Sequence, residues 1–207
     1  MPFGKLNNVQ LDALKEISNI GMGHAATALS QMIGQAVYLQ VPHVTVTEIN
    51  QVPGHLGGAE KLMVGITLQI LGDARGSIML LFPKESAHLL LCSLLGRQGK
   101  TLIMNDESVS ALKEVGNILA SAYLSALGNL LNKTLIPSVP LLAYDMAGAV
   151  VDYVLIELSQ SSDLALMVET NFSDDSCRGS SIKGHFFLLP DPATLDTFLH
   201  AVGGPHA

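Results

Sequence analysis

The sequence predicts an α/β fold in which two pseudo-symmetric repeats share a largely antiparallel sheet packed with long helices. Three observations support this prediction: an internal repeat at an offset of 98 residues, an amphipathic helix at the start of each repeat, and β-rich runs that follow one another directly. Strands joined by short connections pair antiparallel. We therefore expect a single domain over residues 1–207, made of repeats at about 6–104 and 105–204.

The internal repeat is clearest in one nine-residue segment of each half. Asp12-Ala-Leu-Lys-Glu-Ile-Ser-Asn-Ile20 aligns with Ser110-Ala-Leu-Lys-Glu-Val-Gly-Asn-Ile118. Two dipeptides recur at the same offset, Ala28-Leu29 as Ala126-Leu127 and Val41-Pro42 as Val139-Pro140. Repetition at a fixed offset indicates two copies of one structural unit.

A helix is predicted at the start of each repeat. The first turn of each helix has unpaired N–H groups that need oxygens or negative charge nearby. These are supplied by Asn7 with Gln10 in the first helix and by Asp106 with Glu107 in the second. At 100° per residue, apolar and small side chains share one face of each helix. These residues are Leu14, Ile17, Gly21, Ala25, Ala28 and Met32 in the first helix, and Leu112, Val115, Leu119, Tyr123, Ala126 and Leu130 in the second.

The remaining elements are predicted from apolar runs and turn residues. β-rich runs are found at 37–48, 62–71 and 76–82, strands are expected at 136–142, 164–172 and 182–189, and helices are expected at 85–95, 144–158 and 192–202. Loops are expected at 51–60, 96–105 and 173–181.

Composition excludes several classes of partner. The chain has 11 basic against 18 acidic residues, a formal charge of −7, and no basic run, which argues against nucleic acid and anionic membranes. The longest stretch without Lys, Arg, Asp or Glu, 17–47, is interrupted by polar residues and is no membrane span. The N-terminus lacks the pattern of a signal peptide. We expect a cytoplasmic protein.

Familiar catalytic and metal motifs are absent. Gly99-Lys100-Thr101 resembles the end of a phosphate-binding loop, but Leu94 stands where that loop needs glycine. The seven histidines form no i, i+4 pair, and the two cysteines form no CxxC motif. We expect no metal site.

A polar stripe is present on both repeated helices. One Glu-x-x-Asn on a helix is ordinarily a solvated face, but its recurrence at the same register indicates a function, because Asn is unfavourable inside helices. The stripe consists of Asp12, Glu16 and Asn19 in the first helix and Ser110, Glu114 and Asn117 in the second.

This stripe resembles the signature Asp/Ser-x-x-x-Glu-x-x-Asn of the CheC, CheX and FliY phosphatases of bacterial chemotaxis. The segments Asn19-Ile-Gly-Met-Gly-His-Ala-Ala-Thr-Ala-Leu-Ser30 and Phe187-Leu-Leu-Pro-Asp-Pro192 are also similar to CheC. Two intact signatures favour the CheC type over CheX, which is shorter and has one functional motif. A FliY-type flagellar switch component is expected to carry a further C-terminal domain.

The resemblance implies a hydrolase that removes the aspartyl phosphate of the response regulator CheY. Asn19 and Asn117 would orient the attacking water, Glu16 and Glu114 would anchor the regulator, and Asp12 and Ser110 would support the helix face. No cofactor of its own is implied, because the Mg²⁺ would belong to the receiver domain of the regulator.

A second interpretation is a regulatory binding module. The resemblance implies that the receptor deamidase CheD binds the predicted helix 144–158, where Asp145 and Asp152 would share one face beside small residues. An ordinary amphipathic helix remains the alternative. We expect a monomer.

Overall fold

A computed structural model describes residues 8–34, 36–41, 43–96, 101–158, 164–174, 182–194 and 197. The helices are α1 (Asn8–Ile33), α2 (Val52–His55), α3 (Lys84–Leu95), α4 (Asp106–Leu131) and α5 (Ala147–Leu158). The strands are β1 (Val37–Gln40), β2 (Val44–Glu48), β3 (Leu62–Gly72), β4 (Gly76–Pro83), β5 (Leu135–Pro137), β6 (Leu141–Met146), β7 (Leu164–Asp174) and β8 (Ile182–Pro190). A 3-10 turn, Ile49–Gln51, precedes α2.

The strands form one eight-stranded sheet in the order β1-β7-β8-β4-β3-β5, with β2 also paired to β7 and β6 also paired to β3. All these pairings are antiparallel. The two short strands that follow each long helix therefore pair with the long strand of the opposite half. The predicted α/β class, with a largely antiparallel sheet and long helices, is confirmed.

Alternate residues of the central strands enter two separate apolar clusters, as the period of two in a strand requires. Ile66, Leu80 and Phe186 face the larger cluster, which also contains the buried faces of α1, α3 and α4. Leu81 and Phe187 face the smaller cluster, which contains buried residues of α2 and α5. The sheet is thus covered on both faces, and α1 and α4 lie on the same side of it.

The beginning of α5 differs from the sequence prediction. Tyr144, Asp145 and Met146 do not start a helix; they continue β6, where Asp145 stands opposite Met63 of β3. The Asp145 carboxylate accepts a hydrogen bond from the Met146 N–H at 2.7 Å. Pairing with a strand some 80 residues away in the sequence overrides the local helical pattern in this segment.

Smaller differences concern helix ends and connections. Met32 and Leu130, predicted on the apolar faces, are exposed. The N-cap of α4 is Asn105, whose side-chain oxygen accepts the Ser108 N–H at 2.9 Å, with acidic residues following in the first turn. The β-rich run 37–48 contains two strands, the predicted strand 136–142 is divided between β5 and β6, and the predicted loop 51–60 contains α2. Asn7, most of the predicted helix 192–202 and most of the predicted loop 173–181 lie outside the described residues.

Candidate active site

The two long helices contact each other through a glycine of α1. A Cβ placed on Gly21 would stand 3.0 Å from the Cα of Tyr123 in α4, a distance tighter than ordinary packing, so glycine allows the helices to approach closely here. Tyr123 is fully buried, and its ring lies 4.6 Å, centroid to centroid, from that of Phe186 in β8. This contact fixes the inner faces of both helices and leaves their outer faces to the polar stripes.

The stripe on α1 is entirely exposed. Asp12, Glu16 and Asn19 are exposed, whereas Ile17 and Ser18, between Glu16 and Asn19, are buried. Residues three and four positions apart lie on one helix face, so the carboxylates and the amide are presented together. The sequence prediction of an outward polar face on α1 agrees with this placement.

The stripe on α4 is presented in the same order but less openly. Ser110 and Glu114 are exposed, and Asn117 is half-buried. Behind them Gly116 is buried against the sheet, where an added Cβ would stand 2.6 Å from the Cγ2 atom of Ile66. α4 therefore packs directly on β3 at the level of its stripe.

None of the six stripe side chains has a hydrogen bond or an ion pair with another residue in the part of the chain that the structure describes. Their oxygens and amide nitrogens thus have their full capacity for an external partner. Each stripe combines a carboxylate, which can accept from a cation, with a neutral amide, which can both donate and accept.

A buried hydroxyl pair lies beneath the α1 stripe, and sequence reasoning did not identify it. The Ser18 hydroxyl donates to the Leu14 carbonyl at 2.7 Å, and the Ser18 and Tyr123 hydroxyl oxygens are 3.5 Å apart. Burial raises the pKa of Tyr123 to about 12, and the Ser18 hydrogen bond opposes this only in part. The signal in the sequence was the polar Ser18 between two apolar-face positions of α1.

The described residues offer neither a metal site nor a membrane-spanning helix. No group of three or more His, Cys, Asp or Glu side chains there could hold a metal ion. None of the described helices is long and apolar enough to cross a membrane. The stripes consist of carboxylates, amides and the Ser110 hydroxyl, and these groups suit them to bind cations and to orient a small polar molecule such as water.

The two aspartates predicted to share a helix face lie on different elements. Asp145 is an exposed residue of the edge strand β6, and Asp152 is an exposed residue of α5. The prediction that both occupy one face of a helix is therefore wrong, because the helix begins at Ala147.

Comparisons with known proteins bear on the same residues. The model of the CheC-like family matches residues 9–46 and 107–144, which contain both stripes. A Bacillus subtilis relative named CheY-P phosphatase CheC is 35% identical over 204 residues, 97% of this chain and 97% of that protein.

Two solved structures share the fold. Thermotoga maritima FliY matches with a TM-score of 0.80 and 18% identity, over 97% of this chain and 99% of that one. The FliM middle domain from H. pylori matches with a TM-score of 0.65 and 12% identity, over 95% and 99%. Sequence identity to the Bacillus relative extends over nearly the whole of both chains, and the chain therefore belongs to the CheC-like family.

Proposed function

We propose that this protein is a phosphatase that hydrolyses the aspartyl phosphate of a CheY-type response regulator, with Asn19 and Asn117 orienting the attacking water. One observation carries the proposal: the same carboxylate and amide are presented at the same spacing on the outer faces of two adjacent helices. The name of the Bacillus relative, CheY-P phosphatase CheC, supports the substrate class.

The reaction requires a positioned water more than a strong nucleophile. The water oxygen attacks phosphorus, the bond from phosphorus to the aspartyl oxygen breaks, and inorganic phosphate and a free carboxylate result. The Asn side-chain oxygen accepts a hydrogen bond from this water and holds its lone pair in line with the breaking bond. An amide does this without adding negative charge beside the phosphoryl oxygens.

The carboxylates have a docking role in this proposal. Glu16 and Glu114 precede the amides by three residues, so each lies on the same helix face as its amide. A carboxylate there pairs with a cationic side chain of the regulator and fixes the register in which the phosphoryl group meets the amide. Asp12 and Ser110, one turn earlier, extend the polar surface that receives the regulator.

Charge neutralisation of the phosphoryl group is assigned to the regulator. A receiver domain binds Mg²⁺ beside its phosphoaspartate, and this ion neutralises the phosphoryl oxygens. The phosphatase then needs no cofactor of its own, and its stripes act only on the water and on the docking contact.

The test is phosphate release from a phosphorylated CheY-type receiver domain. Wild-type protein should accelerate the release, and the double variant Asn19→Ala/Asn117→Ala should lose that acceleration by about 10²-fold or more, as loss of a positioned polar group does in other enzymes. Circular dichroism establishes that the variant is folded. Wild-type-like acceleration by the folded double variant would refute the role of the amides.

A matched control uses amides on the same helices but off the stripe. Gln31 and Asn129 are exposed, and they occupy corresponding positions of the two repeats. The double variant Gln31→Ala/Asn129→Ala should retain wild-type activity. Equal losses in the two double variants would trace the effect to general damage of the helices.

A second candidate function is binding of the receptor deamidase CheD by the surface around α5. Asp152 and Tyr153 are exposed on α5, and the exposed Leu62 and Met146 face each other in the neighbouring β3–β6 ladder. An exposed apolar surface with an acidic residue suits a protein partner that carries a basic group.

The binding proposal is tested by reversing the charge of Asp152. Asp152→Lys should weaken CheD binding in titration calorimetry and leave phosphatase activity unchanged, because the stripes lie on other helices. Glu85→Lys, an exposed charge reversal on α3, is the control. Unchanged affinity of the Asp152 variant would remove this residue from the interface.

A further inference from the structure

Some glycines of α1 and α4 are required by close packing, and one is not. Gly21 and Gly116 are buried; a Cβ on Gly116 would overlap Ile66, and a Cβ on Gly21 would crowd the backbone of Tyr123. Gly23 is exposed, and a Cβ there would meet no atom within 4 Å. The packing of the free protein therefore explains the first two glycines and does not explain Gly23.

Glycine at position 23 also lowers the stability of helix α1. It lies in the interior of α1, which spans Asn8–Ile33, and it is not among the residues with positive φ. Glycine is the worst helix-interior residue after proline, because it gives up the most backbone freedom on folding. A Cβ would fit at this position, and alanine there would stabilise the helix.

The position of Gly23 connects it to the α1 stripe. It follows Asn19 by four residues, so it lies on the same face about 6 Å further along the helix axis. Ile20, three residues before Gly23, has 49% of its surface exposed. His24, the next residue after Gly23, is also exposed. The uncovered backbone at Gly23, the apolar side chain of Ile20 and the amide of Asn19 therefore lie next to one another.

The α4 stripe lacks this arrangement. At the offset of the repeat, Ser121 corresponds to Gly23 and Ile118 corresponds to Ile20, and both α4 residues are half-buried. A side chain thus covers the α4 backbone at the position where the α1 backbone is bare.

We infer that Gly23 is a docking contact of the α1 site, where the backbone of the phosphorylated receiver domain packs directly against the helix beside Asn19. This inference rests on the proposed phosphatase function. A bare helix backbone admits a partner chain closer than any side chain would, and the exposed Ile20 supplies apolar contact at the same place. The α1 site accordingly holds the receiver more closely than the α4 site does.

The test adds one methyl group at Gly23 in a protein whose α4 site has been silenced. Gly23→Ala in the Asn117→Ala background should raise Tm by about 2–4 °C, because alanine favours the helix. The same change should raise KM for the phosphorylated receiver about tenfold, because a Cβ intrudes on a close contact. A gain in stability together with a loss in docking is not expected of a merely structural glycine.

The matched control is Ser121→Ala in the Asn19→Ala background, which should leave KM unchanged because a Cβ is already present there. An unchanged KM for Gly23→Ala, with Tm raised, would overturn the inference and leave the proposed function intact. Failure of the Asn117→Ala reference protein to accelerate phosphate release would refute activity at the α1 site, and the inference would be overturned with it.

Discussion

Helices α1 and α4 have the same length and the same outward stripe, but they differ in burial. Each has 26 residues, of which seven are buried in α1 and eleven in α4. Asn19 is exposed, and its counterpart Asn117 is half-buried. Two copies of one motif are therefore presented in unequal surroundings.

The inner faces explain the inequality. Ser18 of α1 corresponds to Gly116 of α4, and Ala25 corresponds to Tyr123. The larger Tyr123 fills the space between the two helices, and Gly116 lets α4 settle onto Ile66 of the sheet. The inner residues of the two helices therefore differ while the outer carboxylate and amide are the same, as expected if the outer residues perform the same task twice.

Among changes that affect only one stripe, reversing the charge of its glutamate should reduce phosphatase activity the most. In the Asn117→Ala background, Glu16→Lys should lower kcat/KM for the phosphorylated receiver about 10²-fold, because like charges brought together at an interface cost several kcal/mol. Phosphate release at several salt concentrations measures this loss. The neutral variant Glu16→Gln should lose less.

The reciprocal variant sharpens the comparison of the two helices. Glu114→Lys in the Asn19→Ala background should have a similar effect, whereas Glu114→Lys in the Asn117→Ala background should add little to the loss already present. A large additional loss in that last protein would show that the two stripes act on one bound receiver.

Gly116 should not tolerate the addition of a single methyl group. Gly116→Ala should lower the free energy of unfolding by about 1–2 kcal/mol, because its Cβ would overlap the branched side chain of Ile66 and the strain exceeds the gain in helix propensity. Urea denaturation measures the change. Stability equal to that of the wild type would mean that α4 can shift away from β3 without cost.

Much of this architecture was predictable from local patterns, and the misses involve partners distant in the sequence. Periodicity placed Glu16 and Glu114 on outer faces because a helix repeats within a few residues. It could not place Tyr144 and Asp145 in a strand, because that strand exists only through pairing with β3. Nor could it show that Ser18 approaches Tyr123, a contact between residues 105 positions apart.

The buried Tyr123 predicts that the stability of the protein declines at alkaline pH. Its folded-state pKa is raised by burial from 10.0 to about 12. The unfolded chain therefore loses the phenolic proton first, so the stability contributed by the neutral phenol is complete below pH 10 and is lost as the pH rises toward 12. The expected slope is about 1.4 kcal/mol per pH unit at most.

Tyr123→Phe should flatten this alkaline decline in urea denaturation series, even if the variant is less stable at neutral pH. Tyr153→Phe, which alters an exposed ring of α5, should leave the decline as it is in the wild type. Parallel declines in wild type and Tyr123→Phe would show that this phenol is not the group responsible.

Single amide substitutions should have the smallest effect and compare the two sites most directly. If the stripes work independently, their rates add, so neither Asn19→Ala nor Asn117→Ala should reduce total phosphate release by much more than about twofold to threefold. Because Asn19 is exposed and Asn117 is half-buried, Asn19→Ala should cause the greater loss. Initial rates at saturating and at low receiver concentration separate turnover from docking. Nearly complete loss in both single variants would show one composite site that uses both helices, and a greater loss in Asn117→Ala would show that exposure of the amide does not decide which helix is the more active.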